Sequence, residues 1–166
     1  MAQTLHFREI DVDRDADTCI TFRADSFVES FGSAERFFTA AGDGAWRYLD
    51  GLKIKLRDWP GSCVHAWLDK EIVGQIEARR DKTDPARADV LLYYLRTDMR
   101  GGGYGEQLDA YVVALCHAAG VNTTFLRVSP TNARAVAFYR KLGWRDLGPD
   151  SDRPDVHVMS RFVEPG

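Results

Sequence analysis

Cysteine, histidine and long apolar runs are all scarce in this sequence, and each scarcity removes a class of function. Only Cys19, Cys63 and Cys116 are present, an odd and scattered set that fits reduced core thiols rather than a disulfide framework. His6, His65, His117 and His157 lie far apart, none spaced from Cys, Asp or Glu like a metal-ligand pair, so no metal is expected. No apolar stretch approaches the roughly 18 residues that cross a bilayer. Met1 to Ile10 alternates polar and apolar residues instead of joining a charged stretch to an apolar one, unlike a signal peptide. The chain is therefore expected to be soluble and cytoplasmic, without a membrane partner. Positive charge is lacking too: a net charge of -3 and a pI near 5.8 give no basic field for nucleic acid. Internal repeats and low-complexity segments are absent.

What is there suits one core. With 45% hydrophobic residues in 166, a single domain over residues 1–166 is expected. Leu5 and Phe7 alternate with polar neighbours as in a short strand, and the spacing from about Asp13 to Phe31 predicts a helix. A second short helix is expected around Trp46 to Leu56, ending before Pro60. Two strand-like runs, Cys63 to Leu68 and Ile72 to Arg79, flank Asp69 and Lys70 as in a hairpin, and Asp89 to Leu95 reads as a central strand. Leu108, Tyr111, Val112 and Leu115 mark a helix that should stop at Gly120. Thr123 to Val128 is strand-like, Ala135 to Leu142 helical before Gly143, and Val156 to Phe162 a final strand. The order describes an α/β (α+β) domain on a mixed sheet.

Between the central strand and the clearest helix stand Arg100, Gly101, Gly102, Gly103, Tyr104 and Gly105. Backbone N–H groups at a helix start are unpaired and carry partial positive charge, and glycines let a phosphate approach them. Arg100 would add a fixed charge. A P-loop is excluded because Glu106 and Gln107 stand where Lys and Ser/Thr are needed, and the G-x-G-x-x-G spacing fails at Glu106 and Leu108.

The segment Arg100-x-x-Gly103-x-Gly105 resembles the coenzyme A pyrophosphate loop of the GNAT acetyltransferase superfamily. Asn132-x-x-Ala135-x-x-Phe138-Tyr139-x-x-x-Gly143-Trp144 is similar to that family's second signature, and the likeness runs from about Ile72 to Leu147. The resemblance implies a mixed, mostly antiparallel sheet flanked by helices, whose fourth and fifth strands splay so that the pantetheine arm lies between them. It implies that Leu95, Arg96 and Thr97 bond that arm, that the loop from Arg100 through Glu106 holds the phosphates, and that Asn132 and Tyr139 also touch the cofactor, acetyl-CoA.

On this resemblance Tyr139 would protonate or hydrogen-bond the departing thiolate. Asp89 falls where some relatives carry a basic glutamate, and Glu77 on the neighbouring strand is a second candidate base; both also read as solvated strand-edge carboxylates. Tyr93 and Tyr94 point to opposite faces of their strand, so at most one faces the acceptor. Asp25 and Glu29, one helical turn apart, are a further acidic pair that would suit a cationic amine. The expected activity is transfer of acetyl from acetyl-CoA to a primary amine of a small molecule or peptide by direct attack in a ternary complex. The alternative is a non-catalytic acyl-CoA binding or sensing protein, and a homodimer is compatible with either.

Overall fold

In the computed structural model, which describes residues 2–39 and 44–165, the apolar periodicities resolve into β1 (His6–Glu9), α1 (Ala16–Phe31), α2 (Glu35–Thr39), α3 (Gly44–Asp58), β2 (Cys63–Leu68), β3 (Glu71–Arg80) and β4 (Arg87–Leu95). A single turn at Thr97–Met99 leads to α4 (Tyr104–Ala119), β5 (Thr123–Val128), α5 (Ala133–Lys141), β6 (Arg145–Pro149) and β7 (His157–Phe162). Gly120 ends α4 in the left-handed conformation, φ 70°, and its N–H donates to the carbonyls of Cys116 and His117. No helix among the described residues is long and apolar enough to cross a membrane.

The strands form one sheet in the order β1-β2-β3-β4-β5-β7-β6. Every neighbouring pair is antiparallel except β4 and β5, which run parallel and pair only at Arg87 with Thr123, Ala88 with Thr124 and Asp89 with Phe125. Beyond Asp89 the two strands part, as the splayed fourth and fifth strands were expected to do. One face of the sheet, with Ile76, Leu126 and Met159, packs under α4 through Leu108 and Val112. The other face is covered by α1 and α3, where Cys19, Leu52 and Cys63 cluster and Phe22 meets Leu92 and Tyr94. All three cysteines are free and buried.

In β4 one residue is extra. Glu77 pairs with Leu92 and Ala78 with Val90, so Leu91 bulges out of the ladder. The Arg23 guanidinium on α1 donates to the freed Leu91 carbonyl at 3.0 Å, fixing the helix against the bulge.

Candidate active site

Where β4 and β5 part, a cleft of about 890 Å³ opens. Gly101, Gly103 and Gly105 from the start of α4 border it, as do Asn132, Ala135, Phe138 and Tyr139. Gly101 and Gly103 take φ 79° and 87°, the left-handed region that a side chain disfavours, so glycine is needed for the turn. Among the described residues the N–H groups of Gly101, Gly102 and Gly103 have no acceptor, which leaves the nest open to an anion. Gly105 serves a different end. A Cβ there would stand 2.8 Å from the Phe138 ring, so its absence lets α4 and α5 approach each other.

The slot between the strands follows from hydrogen-bond alternation. Because the Arg96 N–H bonds the Val73 carbonyl in β3 at 2.8 Å, the backbone groups of Tyr93 and Leu95 point the other way, into the gap. Leu95 therefore stands where expected. Arg96 and Thr97 do not: neither borders the cleft, and the Arg96 side chain is bound to Asp98 at 2.8 Å and Glu71 at 3.3 Å. Gly102 and Tyr104 also miss the lining, the Tyr104 hydroxyl instead accepting from the Gln3 N–H at 3.3 Å. Glu106 lines the cleft but is held by Lys141 at 2.8 Å. Asn132 caps α5, its side chain accepting from the Ala135 N–H at 3.3 Å.

Arg100 borders the cleft as well, but its side chain is already engaged. Its guanidinium reaches α1, donating to the Leu95 carbonyl at 2.9 Å, to Glu29 at 2.9 Å and toward Asp25 at 3.4 Å. Asp25 also accepts from the Tyr94 hydroxyl at 2.6 Å. The acidic pair is thus consumed in tying α1 to the end of β4, and is not free for a cationic amine.

Tyr139 lies half-buried with its ring 5.9 Å from that of Tyr93, and its hydroxyl has no hydrogen-bond partner among the described residues. Burial, helped by the nearby Asp109 charge, pushes its pKa up, so the phenol keeps its proton at neutral pH. Behind it Asp109 accepts from Tyr93 at 3.0 Å and from both terminal nitrogens of Arg161 at 2.8 and 3.0 Å, a buried bidentate pair that fixes this side of the cleft and leaves the Arg161 Nε without a partner among the described residues.

The two carboxylates considered as bases fare differently from expectation. Glu77 is only 1% exposed and does not border the cleft. Its Oε2 accepts from the Tyr48 hydroxyl at 2.6 Å and the Gln75 amide at 2.8 Å, while Lys55 lies 3.5 Å from Oε1. Burial opposes its ionisation, but the charges of Arg23 and Lys55 with these hydrogen bonds outweigh it and hold the carboxyl below its usual range. Glu77 is an anchor for α3. Asp89 stands at the last rung between β4 and β5 and is bound by Arg79 at 2.9 Å, also outside the lining.

Residues that sequence reasoning missed gather at the far side of the cleft: Arg23, Phe27, Arg79, Arg127, Ser129 and Arg153. They come from α1, two strands, the connection after β5 and the connection between β6 and β7, with no shared spacing to mark them.

A sequence model of the acetyltransferase (GNAT) family matches residues 25–144. No curated protein matches the chain in sequence. Among solved structures, the PaiA N-acetyltransferase of Thermoplasma acidophilum in complex with coenzyme A superposes with TM-score 0.77 at 17% identity, covering 96% of this chain and 99% of that one. Ard1 of Thermoplasma volcanium gives 0.72 at 21%, covering 98% and 99%, and YncA of Salmonella typhimurium with its cofactor acetyl-CoA gives 0.72 at 11%, covering 99% and 96%. At such identities the likeness is one of fold, and it is the family match over most of the sequence that assigns the chain: it belongs to the GNAT family of acetyltransferases.

Proposed function

We propose that the protein transfers the acetyl group of acetyl-CoA to a primary amine of a small molecule or peptide within a ternary complex. The observation that carries this reading is the gap left by β4 and β5 after a short ladder, onto which the open N–H groups of the glycine turn and the unpartnered Tyr139 hydroxyl both face. The backbone groups of Tyr93 and the N–H of Leu95, left unpaired on the gap side while Arg100 takes the Leu95 carbonyl, suit the amides of a pantetheine arm. The coenzyme A of PaiA and the acetyl-CoA of YncA, bound in the same fold, support the choice of cosubstrate.

The amine lone pair attacks the thioester carbonyl carbon, the C–S bond breaks, the thiolate takes a proton from Tyr139, and the proton shed by the attacking nitrogen as the amide forms restores the phenol. The amine must first lose its own proton. With Glu77 sealed away and Asp89 paired to Arg79, water receives it, and the guanidinium groups of the far side lower an ammonium pKa in the direction the attack requires.

Mixing the protein with acetyl-CoA and a panel of amines is expected to release free thiol only when an accepted amine is present. Thiol release with none of them, despite tight coenzyme binding, would favour the acyl-CoA sensor. A parallel series with other acyl thioesters identifies the donor.

The glycine nest is tested by matched substitutions. Gly103→Leu and Gly120→Leu both place a side chain at positive φ, 87° and 70°, at opposite ends of α4. Each is expected to cost roughly 1–2 kcal/mol of stability. Only Gly103→Leu should weaken coenzyme A in calorimetry; equal affinity in the two variants would remove the phosphate from this turn.

A further inference from the structure

Among the described residues, the far end of the cleft presents guanidinium groups and no carboxylate. Arg23, Arg79, Arg127 and Arg153 border it, and the carboxylates that border the same cleft, Glu29 and Glu106, are engaged by Arg100 at 2.9 Å and Lys141 at 2.8 Å at the start of α4. The acids that balance the far-end arginines stand behind them. Asp89 holds Arg79 at 2.9 Å and Asp150 lies 3.5 Å from Arg127, yet neither lines the cleft. Glu77 is likewise sealed behind Arg23.

The strand register brings two of these side chains to one face. Arg79 pairs with Asp89 and Asp89 with Phe125, two residues before Arg127, so Arg79 and Arg127 share the α1 side of the sheet. Arg153 joins them because its N–H donates to Asp150 Oδ2 at 3.2 Å, which sets its loop beside Arg127. Among the described residues the Arg153 side chain has no ion pair. Two contacts bridge the surrounding elements: Arg36 of α2 donates to Asp155 in the loop before β7 at 2.8 Å, and Thr131 donates to the Ser30 carbonyl at 3.4 Å.

A polyamine or aminoglycoside entering this end would bring positive charge against positive charge. A planar carboxylate, in contrast, matches the fork of a guanidinium and can be held by two parallel hydrogen bonds. We propose that the acceptor is a small amine that also carries a carboxylate, an amino-acid-like molecule, and that Arg127 and Arg153 receive this carboxylate. The inference deepens the transferase reading and rests on it.

The test pairs each standard amino acid with its carboxamide, and adds spermidine and a short peptide, in the thiol-release assay. At least one amino acid should exceed its amide by roughly tenfold or more in kcat/KM, the value of one charge-assisted hydrogen bond. Arg127→Gln and Arg153→Gln should each raise the acceptor KM and erase the preference while the KM for acetyl-CoA stays put, and Arg153→Gln, which breaks no ion pair among the described residues, should leave the melting temperature unchanged as well. Independently of turnover, N-acetyl amino acids should bind the coenzyme A-saturated protein more tightly than N-acetyl amino amides in calorimetry. Preference for the amides, the peptide or spermidine, or equal binding or no binding of both product series, overturns the proposal and leaves acetyl transfer standing. Failure of the wild-type protein to bind coenzyme A and to release thiol with any acceptor sinks the transferase reading itself.

Discussion

Replacing Tyr139 by Phe is expected to lower kcat by roughly a hundredfold or more, the usual loss when an acid is removed from the departing group. The substitution keeps the ring, and with it the contacts to Tyr93, Phe138 and Trp144 at centroid distances of 5.9, 5.7 and 6.2 Å. It removes a hydroxyl that has no hydrogen-bond partner among the described residues, so no buried donor or acceptor is orphaned. The melting temperature and the coenzyme A affinity should therefore hardly move. Because burial raises the Tyr139 pKa, the phenol remains protonated through neutral pH, and the wild-type rate should show no loss from its ionisation below the usual tyrosine range. Full turnover by Tyr139→Phe with every accepted amine would transfer the protonation step to water.

The second large effect is on stability. Glu77→Ala should cost about 3–5 kcal/mol in denaturant unfolding, because it leaves Lys55, Tyr48 and Gln75 facing one another without the carboxylate that satisfies them. The sign with pH follows from a lowered folded-state pKa: the carboxylate stabilises the fold above its ordinary range, and that contribution fades as the pH falls toward the lowered value. Acid unfolding of the wild type should therefore be steep, and shallower in the variant. Where Glu77→Ala is still folded, its pH–rate profile should match the wild type. A rate loss with unchanged stability would restore Glu77 as the base.

The cofactor half was legible because its signals are local. A glycine turn following a strand and opening a helix depends on neighbours in sequence, as does the cap at Asn132, whereas the side-chain directions around it do not. Arg100 looked like a phosphate ligand until Glu29, distant in sequence on α1, claimed its guanidinium. Glu77 read as a candidate base or a solvated strand-edge carboxylate because polar residues in a strand usually face a cleft or water. Here β3 is buried continuously from Val73 to Ala78, since α3 covers the outer face and supplies Tyr48 and Lys55 to satisfy the polar groups. β6 left little trace: it carries Gly148 and Pro149, is largely exposed, and pairs only with β7 at the sheet edge. α2, with five residues, is too short for helical spacing to declare itself.

The parallel contact between β4 and β5 has a thermodynamic meaning. Only three residue pairs join the half-sheet of β1 to β4 to the half-sheet of β5 to β7 across the ladder, so a ligand that fills the remaining gap acts as a splint between them. Such a ligand binds the folded chain and not the unfolded one, adding about 2.7 kcal/mol of stability at a hundredfold excess over its Kd. Abundance of the folded protein would then track the supply of the thioester it consumes, with the acetyl donor serving as structural reinforcement as well as reagent.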